Sequence, residues 1–278
     1  MMKKEVTNFL NKSYQLLEEP VAYAKPKWNQ LKVGVDLGTS SIVLVVLNEK
    51  NQPLVCLSEE AHVVRDGIVV NFFEAVQIVK RLKTTAEDLL STQLLVASGA
   101  IPPGTGGSCQ KAVLHVIEAA EMDCDQVVDE PYAAAAVLAI EEGAVVDIGG
   151  GTTGISIFKE GKAVYSADEA TGGHHMTLVL AGYYHTDMEV SESIKRDPQR
   201  YDETFQIIQP VTEKMAAITA RFIEESKEEV KKVYIVGGAS MFPQFPAVFQ
   251  DAVGCPTTQP VHPRLVTPLG IAKLSRAF

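Results

Sequence analysis

Two short stretches of the chain combine residue types that suit phosphate and metal chemistry. Residues 33–41 read Val-Gly-Val-Asp-Leu-Gly-Thr-Ser-Ser, and residues 145–154 read Val-Val-Asp-Ile-Gly-Gly-Gly-Thr-Thr-Gly. In each stretch an apolar strand ends in an aspartate, Asp36 or Asp147, before a turn of glycine and hydroxyl residues. Glycine lets backbone N–H groups approach an anion. The carboxylate can hold Mg²⁺, usually through its water shell, or polarise an attacking water.

Each stretch by itself also fits an ordinary tight hairpin with helper glycines, because short motifs are only hypotheses. The surrounding pattern is repeated as well: an apolar strand, a polar turn and another apolar strand follow each motif. These strands are residues 42–47 and 54–57 after the first motif, and residues 155–158 and 163–165 after the second. The repetition favours a two-sided clamp for a phosphate chain, with Asp36 and Asp147 on opposite jaws.

Composition limits the class of protein. The 278 residues are 46% apolar and 22% charged, as in soluble globular proteins. The net charge of −10 argues against nucleic acid and anionic membranes as partners. There is no run of about 18 apolar residues and no signal-peptide pattern, so we expect no membrane span. Four scattered cysteines without a CxxC pair predict reduced thiols in a cytoplasmic protein.

The periodicity of apolar residues predicts the elements that position the two motifs. Residues 5–17 have helical spacing, and residues 18–30, with two prolines, look like a linker, so that 1–30 is an amphipathic helix and linker. A first unit, 31–142, is predicted to begin with three strands. Its later elements are helices at about 73–90, 111–121 and 132–140 and strands at 94–98 and 126–128.

A second unit, 143–268, is predicted to follow a hinge at residues 141–143. Its strands are expected at 144–148, 154–158, 163–166 and 232–236, and its helices at about 176–184, 189–195, 204–225 and 244–252. The last helix, near 269–276 in the segment 269–278, is expected to return to the first unit. Strands alternating with helices, twice over, predict an α/β protein of two lobes with mixed sheets. The cleft between the lobes is the expected ligand site.

Five motifs, which follow one another along the chain in the family's order, resemble those of the actin-like ATPase superfamily, which includes actin, sugar kinases, DnaK-type chaperones and MreB. Residues 36–39 and 147–153 are similar to its phosphate motifs, 129–134 and 268–272 to its two connecting helices, and 236–239 to its adenosine motif. The resemblance implies a two-lobed fold with a duplicated ribonuclease-H-like core and minimal subdomain insertions.

A closer similarity covers nearly the whole chain after the linker. Residues 64–69 and 165–175 resemble the EutJ family, an ethanolamine-utilisation family encoded with bacterial microcompartment genes and described as chaperone-like ATPase homologues. The resemblance implies ATP or ADP with Mg²⁺ as ligands and weak ATP hydrolysis as the lobes open and close. It also implies an ethanolamine-pathway enzyme or a microcompartment shell protein as partner, and a cytoplasmic, microcompartment-associated location.

The resemblance carries roles to particular residues. Asp36 and Asp147 would hold Mg²⁺ through water and orient the attacking water, and Glu130 would position that water. Glu192 and Lys195 would contact ribose and adenine, although their spacing also fits a surface ion pair. The remaining residues expected to contact the nucleotide are Gly38, Thr39, Ser40, Gly149, Gly150, Gly151, Thr152, Thr153 and Gly173, with Gly237, Gly238 and Ala239 in the adenosine motif.

The chain departs from the superfamily pattern at several positions. Ser40 and Ser41 stand where the DnaK type carries Asn, and Ala239 stands where Ser is frequent. The lysine that chaperone ATPases carry on an early loop has no identifiable counterpart, and we expect no substrate-binding domain after residue 278. Nucleotide binding is therefore better supported than hydrolysis, and client binding in the DnaK manner is not supported. A filament-forming relative, a small-molecule kinase and a nucleotide-free scaffold are the alternatives.

Three segments have two interpretations each. His174 and His175 could bind a metal, but they lack a third ligand, so hydrogen bonds or contacts to a ligand edge are favoured. Residues 104–111 mimic a P-loop at the wrong spacing and favour a flexible loop before a helix. The N-terminal helix is expected to pack on the first lobe, although a helix joined by a linker could instead dock on a shell protein.

Overall fold

The computed structural model describes residues 2–23, 30–65 and 67–276. Its first half contains four helices and seven strands among these residues. The helices are α1 (Lys4–Glu18), α2 (Phe72–Leu90), α3 (Gly107–Ala119) and α4 (Glu130–Leu138). The strands are β1 (Leu31–Leu37), β2 (Ser41–Asn48), β3 (Pro53–Glu60), β4 (Val64–Arg65), β5 (Ile68–Val69), β6 (Val96–Ile101) and β7 (Asp123–Asp129).

The second half begins with three antiparallel strands and continues with helices and two further strands. The strands are β8 (Gly143–Ile148), β9 (Thr153–Lys159), β10 (Lys162–Glu169), β11 (Val233–Val236) and β12 (Thr257–Thr258). The helices are α5 (Gly173–Tyr184), α6 (Met188–Arg196), α7 (Tyr201–Ser226), α8 (Phe245–Val253) and α9 (Val266–Leu274). A 3-10 helix, Pro263–Leu265, directly precedes α9.

The two halves have the same sheet topology. One five-stranded sheet has the order β3-β2-β1-β6-β7, and the other has the order β10-β9-β8-β11-β12. In each sheet the first three strands pair antiparallel, and the next two strands of the order add in parallel. The duplicated mixed sheet confirms the two-lobed α/β fold predicted from the sequence.

Burial explains why the central strands are almost wholly apolar. In β2 every residue from Ile42 to Leu47 is buried, because helices cover both faces of the sheet. One core cluster joins the first sheet to α2 and α3, and another joins the second sheet to α5, α7 and α8. A third cluster, with side chains from α1, α4 and α9, connects the two halves.

Helices α4 and α9 cross at very short range between the two sheets. Helix α9 packs on β1 and β2, whereas α4 packs on β8 and β9. A Cβ atom on Gly270 would lie 1.9 Å from the carbonyl oxygen of Ala133, and one on Gly34 would lie 2.4 Å from the backbone nitrogen of Ala272. The last helix begins at Val266, three residues before the predicted start, so the proposed lobe boundary at 268 falls inside α9.

Two N-terminal and loop predictions can be compared with the structure. Helix α1 packs on β3, with Val6, Leu10 and Leu16 buried, as the packing interpretation expects. Residues 107–110 are not a loop, because α3 already begins at Gly107 after its N-cap Gly106. Residues 24–29 of the predicted linker and Asp66 lie outside the described residues. Within the described ranges, none of the helices combines the length and apolar character needed to cross a membrane.

Candidate functional site

The two glycine turns adopt the same backbone arrangement. In the first turn, the N–H of Gly38 donates to the carbonyl of Ser41 at 3.0 Å, and in the second the N–H of Gly149 donates to the carbonyl of Thr152 at 3.0 Å. The turns connect β1 to β2 and β8 to β9, one in each sheet. The sequence repeat is therefore also a repeat in space.

These turns meet each other across the cleft. A Cβ atom on Gly150 would lie 2.6 Å from the hydroxyl oxygen of Ser40 and 3.1 Å from the Cβ of Thr39. A larger residue at Gly150 would require the side chains of Ser40 and Thr39 on the other turn to shift. The structure thus brings the two jaws of the predicted clamp together.

The loop before α5 supports the second turn. The N–H of Gly173 donates to the carbonyl of Gly149 at 2.9 Å, and the N–H of His174 donates to the carbonyl of Gly150 at 2.7 Å. The Nδ1 atom of His175 accepts from the N–H of Gly172 at 3.3 Å. His175 therefore caps the start of α5, and its ring is engaged with the backbone as the hydrogen-bonding interpretation expects.

A cavity of about 620 Å³ lies between the two lobes, next to these turns. It is lined by all of the predicted site residues except Thr153. Thr153 is fully buried in β9, and its hydroxyl donates to the carbonyl of Thr171 at 2.6 Å. That hydroxyl fixes the loop before α5, since side chains alternate between the faces of a strand and Thr153 points away from the cavity.

Asp36 and Asp147 lie at corresponding positions of β1 and β8, beneath the two turns. The hydroxyl of Thr267, at the start of α9, donates to Asp147. Burial raises the pKa of Asp36 to about 7, and the neighbouring Asp147 carboxylate adds to the shift. Burial also raises the pKa of Asp147 to about 6, although the hydrogen bond from Thr267 stabilises its ionised form.

Glu130 completes the acidic floor of the cavity from the first turn of α4. Burial first, and then the charges of Asp147 and Asp36, raise its pKa well above the usual range. The raised pKa makes the ionised carboxylate of Glu130 a stronger base than that of an ordinary glutamate. Among the described residues, no group of three or more His, Cys, Asp or Glu side chains could hold a metal ion by itself.

Glu192 and Lys195 form an ion pair, but it is largely buried rather than on the surface. Lys195 is 9% exposed, and its ammonium donates to the carbonyl of Gly173 at 3.0 Å, to the hydroxyl of Thr177 at 2.8 Å and to Glu192 at 2.6 Å. Burial lowers the pKa of Lys195, and the Glu192 carboxylate opposes that shift. Both residues line the cavity, and they tie α6 to the start of α5.

The mouth of the cleft is bridged by an exposed ion pair. Arg196 on α6 donates to Glu60 at the end of β3, and its Nε donates to Glu192 at 2.9 Å. Glu60 and Arg196 belong to opposite halves of the fold. Because both side chains are exposed, we expect the pair to contribute little stability and to weaken in salt.

The cavity-lining residues that were not identified from the sequence include Tyr14, His262, Arg264 and Thr267. Thr267 directly precedes the second connecting-helix motif, so a polar residue at that position could have been recognised as a candidate site residue. Tyr14 carried no signal, because its helix lies far from the other site residues in sequence.

The pKa of Asp36 predicts how stability depends on pH. Its folded-state pKa of about 7 exceeds the ordinary value of 3.8, so the folded state binds the proton more tightly. Stability of the ligand-free protein should therefore fall as pH rises from about 4 to about 7. Asp36→Asn should stabilise the ligand-free protein at pH 8 by about 1–2 kcal/mol, measured as a rise in Tm of about 2–8 °C.

Asp88→Asn is the matched control, because it removes the same charge from an exposed position on α2. Its Tm should stay within about 1 °C of the wild-type value. Equal Tm changes in the two variants would show that burial of the Asp36 charge carries no cost.

The two lobes and the cavity between them define an actin-like ATPase fold, and comparisons with solved structures agree with it. A family model described as type IV pilus assembly protein PilM matches residues 113–263. The fold is similar to that of MreB5 of Spiroplasma citri bound to ADP, with a TM-score of 0.69 and 17% identity, covering 88% of this chain and 95% of that chain.

Closer relatives show the family. The chain is 42% identical over 263 residues to the ethanolamine utilization protein EutJ of Salmonella typhimurium, covering 94% of this chain and 90% of that protein. It is similar to the crystal structure of EutJ from Carboxydothermus hydrogenoformans, with a TM-score of 0.89 and 44% identity, covering 96% of this chain and 97% of that chain. The chain therefore belongs to the EutJ family of ethanolamine utilization proteins.

Proposed function

We propose that the cavity binds ATP and ADP with Mg²⁺ and that the protein is a weak ATPase whose lobes open and close around the nucleotide. The observation that carries the proposal is the contact between the two matched glycine turns, above the half-buried Asp36 and the buried Asp147. The close approach of Gly150 to Ser40 leaves backbone and hydroxyl groups, with no intervening side chain, facing the cavity. Such surfaces suit phosphate oxygens.

The acidic residues fit a hydrated magnesium ion. Asp36 and Asp147 supply carboxylate oxygens from opposite lobes, and Mg²⁺ keeps several waters and is commonly held by one or two carboxylates plus phosphates. A bound ion would supply positive charge to offset the repulsion between these carboxylates and the phosphate chain. The ligand would therefore also relieve the unfavourable burial of the two charges.

We assign Glu130 to the attacking water and the two aspartates to the metal. Glu130 begins α4 at the floor of the cavity, and its raised pKa makes the ionised carboxylate a stronger base toward an attacking water. A nucleotide that binds the closed form more tightly than the open form closes the lobes, and a cycle follows if ATP and ADP differ in this preference. Helices α4 and α9, which cross between the lobes, are the proposed pivot, together with the connection at residues 141–143.

In the cell, this cycle would assist an ethanolamine-pathway enzyme or the assembly of microcompartment shell proteins. The support for this role is membership of the EutJ family of ethanolamine utilization proteins. We place the protein in the cytoplasm, in association with the microcompartment. The test is co-purification with candidate enzymes and shell proteins with ATP, with ADP and without nucleotide. Retention that ignores nucleotide would contradict a chaperone-like cycle.

Calorimetry with Mg²⁺-ATP and Mg²⁺-ADP tests nucleotide binding directly. We expect binding of both, with different affinities, and we expect affinity to decrease as pH falls from 8 to 6. The pKa values of about 7 for Asp36 and about 6 for Asp147 mean that protons then compete with Mg²⁺. The expected decrease is about tenfold.

The Asp36→Asn variant is the control for the pH effect, because it lacks the group that titrates at the higher pH. Its remaining affinity should vary less between pH 8 and pH 6 than that of the wild type. Folded wild-type protein that binds neither nucleotide would overturn the proposed function and favour a nucleotide-free scaffold.

A further inference from the structure

The N-terminal helix reaches the nucleotide cavity, although it lies outside the duplicated core. Tyr14 of α1 is half-buried and lines the cavity together with residues of the second lobe. Its ring stacks on the imidazole of His262, with centroids 4.0 Å apart and an angle of 6° between the ring planes. The guanidinium carbon of Arg264 lies 5.8 Å from the centre of the same tyrosine ring.

The same turn of the second lobe is held to α1 by two polar contacts. The Nε2 atom of His262 lies 3.1 Å from the side-chain oxygen of Asn11, and Arg264 pairs with Glu18 at 3.6 Å. Asn11, Tyr14 and Glu18 are spaced three and four residues apart, so they lie on one face of the helix. Helix α1 therefore carries a polar and aromatic face that is matched to the segment 262–264.

That segment is joined directly to the predicted adenosine motif. The N–H of Gly237 donates to the carbonyl of Pro263 at 3.1 Å, and a Cβ atom on Gly238 would lie 3.8 Å from the Cβ of Arg264. On its apolar face, α1 packs on β3 of the first sheet. One helix thus contacts the first lobe and the wall of the cavity that the second lobe supplies.

We propose that α1 is a working part of the nucleotide site: Tyr14, with His262 and Arg264, closes the base end of the cavity, and docking of α1 and binding of a purine nucleotide favour each other. The inference rests on the proposed function, since it assumes that phosphates occupy the glycine turns. A phosphate chain seated there leaves the base near residues 237–239 and the Tyr14 wall. Aromatic and guanidinium groups are suitable neighbours for a nucleobase.

Linkage explains why the docking would matter. If the base is bound more tightly when α1 is docked, then the nucleotide must hold α1 in place by the same factor. The helix bridges the two lobes, so its docked position also favours one relative arrangement of the lobes. The fraction of molecules with α1 docked would then depend on whether nucleotide is bound.

The test compares Tyr14→Ala with Tyr14→Phe by calorimetry, using ATP and ADP with and without Mg²⁺. We expect Tyr14→Ala to weaken both nucleotides by the same factor, about tenfold, whether or not Mg²⁺ is present. Tyr14→Phe keeps the stacked ring and should bind within about twofold of the wild type. Lys12→Ala, on the exposed face of the same helix, is the matched control and should bind like the wild type.

Hydrogen exchange of the unmutated chain is the second measurement, and it does not depend on the folding of any variant. Saturating ATP should slow amide exchange in residues 4–18 by at least about fivefold. Unchanged exchange in α1, or wild-type affinity in folded Tyr14→Ala, would overturn the inference while leaving the proposed function standing. Failure of the wild type itself to bind ATP or ADP would overturn the proposed function.

Discussion

Asp147→Asn should lower the affinity for Mg²⁺-ATP about 10- to 100-fold without disturbing the fold. A decrease in affinity of this size is typical when a protein loses a group that supports a bound metal indirectly, here through the metal's water ligands. Asparagine has nearly the same shape, and its side-chain oxygen can still accept the hydrogen bond from Thr267. The variant loses the negative charge, so affinity in the absence of Mg²⁺ should change much less. Calorimetry with and without Mg²⁺ separates the two effects.

Two further variants sharpen this result. Asp251→Asn removes the same charge from the exposed side of α8 and should bind Mg²⁺-ATP like the wild type. Thr267→Val removes the hydroxyl that lowers the pKa of Asp147, so Mg²⁺-ATP affinity should begin to fall at a higher pH. Wild-type affinity and wild-type Mg²⁺ dependence in Asp147→Asn would show that Asp147 does not belong to the proposed metal site.

The largest expected effect on stability is that of Gly270→Ala, which should destabilise the protein by at least about 3 kcal/mol. The added methyl group would lie 1.9 Å from the carbonyl oxygen of Ala133 and 2.3 Å from its carbonyl carbon, so α4 and α9 would have to separate. Backbone atoms cannot move aside as a flexible side chain can. In thermal unfolding, Tm should fall by about 6–12 °C or more.

Gly182→Ala provides a control with the opposite sign. Gly182 lies inside α5, and a Cβ atom there meets nothing within 4 Å. Alanine in an exposed helix interior stabilises by roughly 0.5–1 kcal/mol relative to glycine. A Gly270→Ala protein as stable as Gly182→Ala would show that the two connecting helices are not in close contact at this crossing.

The close crossing also bears on the proposed opening of the lobes. Helix α4 packs on the second sheet and α9 on the first, so a relative rotation of the lobes must pass through the contact between Gly270 and Ala133. Proteins that change conformation about packed helices move by small sliding steps or by hinges at element ends. The absence of a side chain at Gly270 leaves the backbones close enough to act as a pivot.

Local periodicity explains why the sequence predicted most elements. The paired motifs around Asp36 and Asp147 are each flanked by continuous apolar strands, which are typical of sheets covered on both faces. Helix ends were less well predicted: α3 begins at Gly107 and α9 at Val266, earlier than expected. Both starts contain glycine, proline or β-branched residues, which give weak helix signals although tertiary packing stabilises the helix.

The sequence by itself determined the repeated strand–turn–strand pattern, the two aspartates at corresponding strand ends and the α/β class, because these depend on neighbouring residues. Only the tertiary structure decided what surrounds them. The hydrogen bond from Thr267 to Asp147 joins residues 120 positions apart, and the contact of His262 with Asn11 joins residues 251 apart. The raised pKa values likewise depend on burial and on charges brought together by folding. Such long-range contacts form when two sheets and their connecting helices pack, and they leave no periodic trace along the chain.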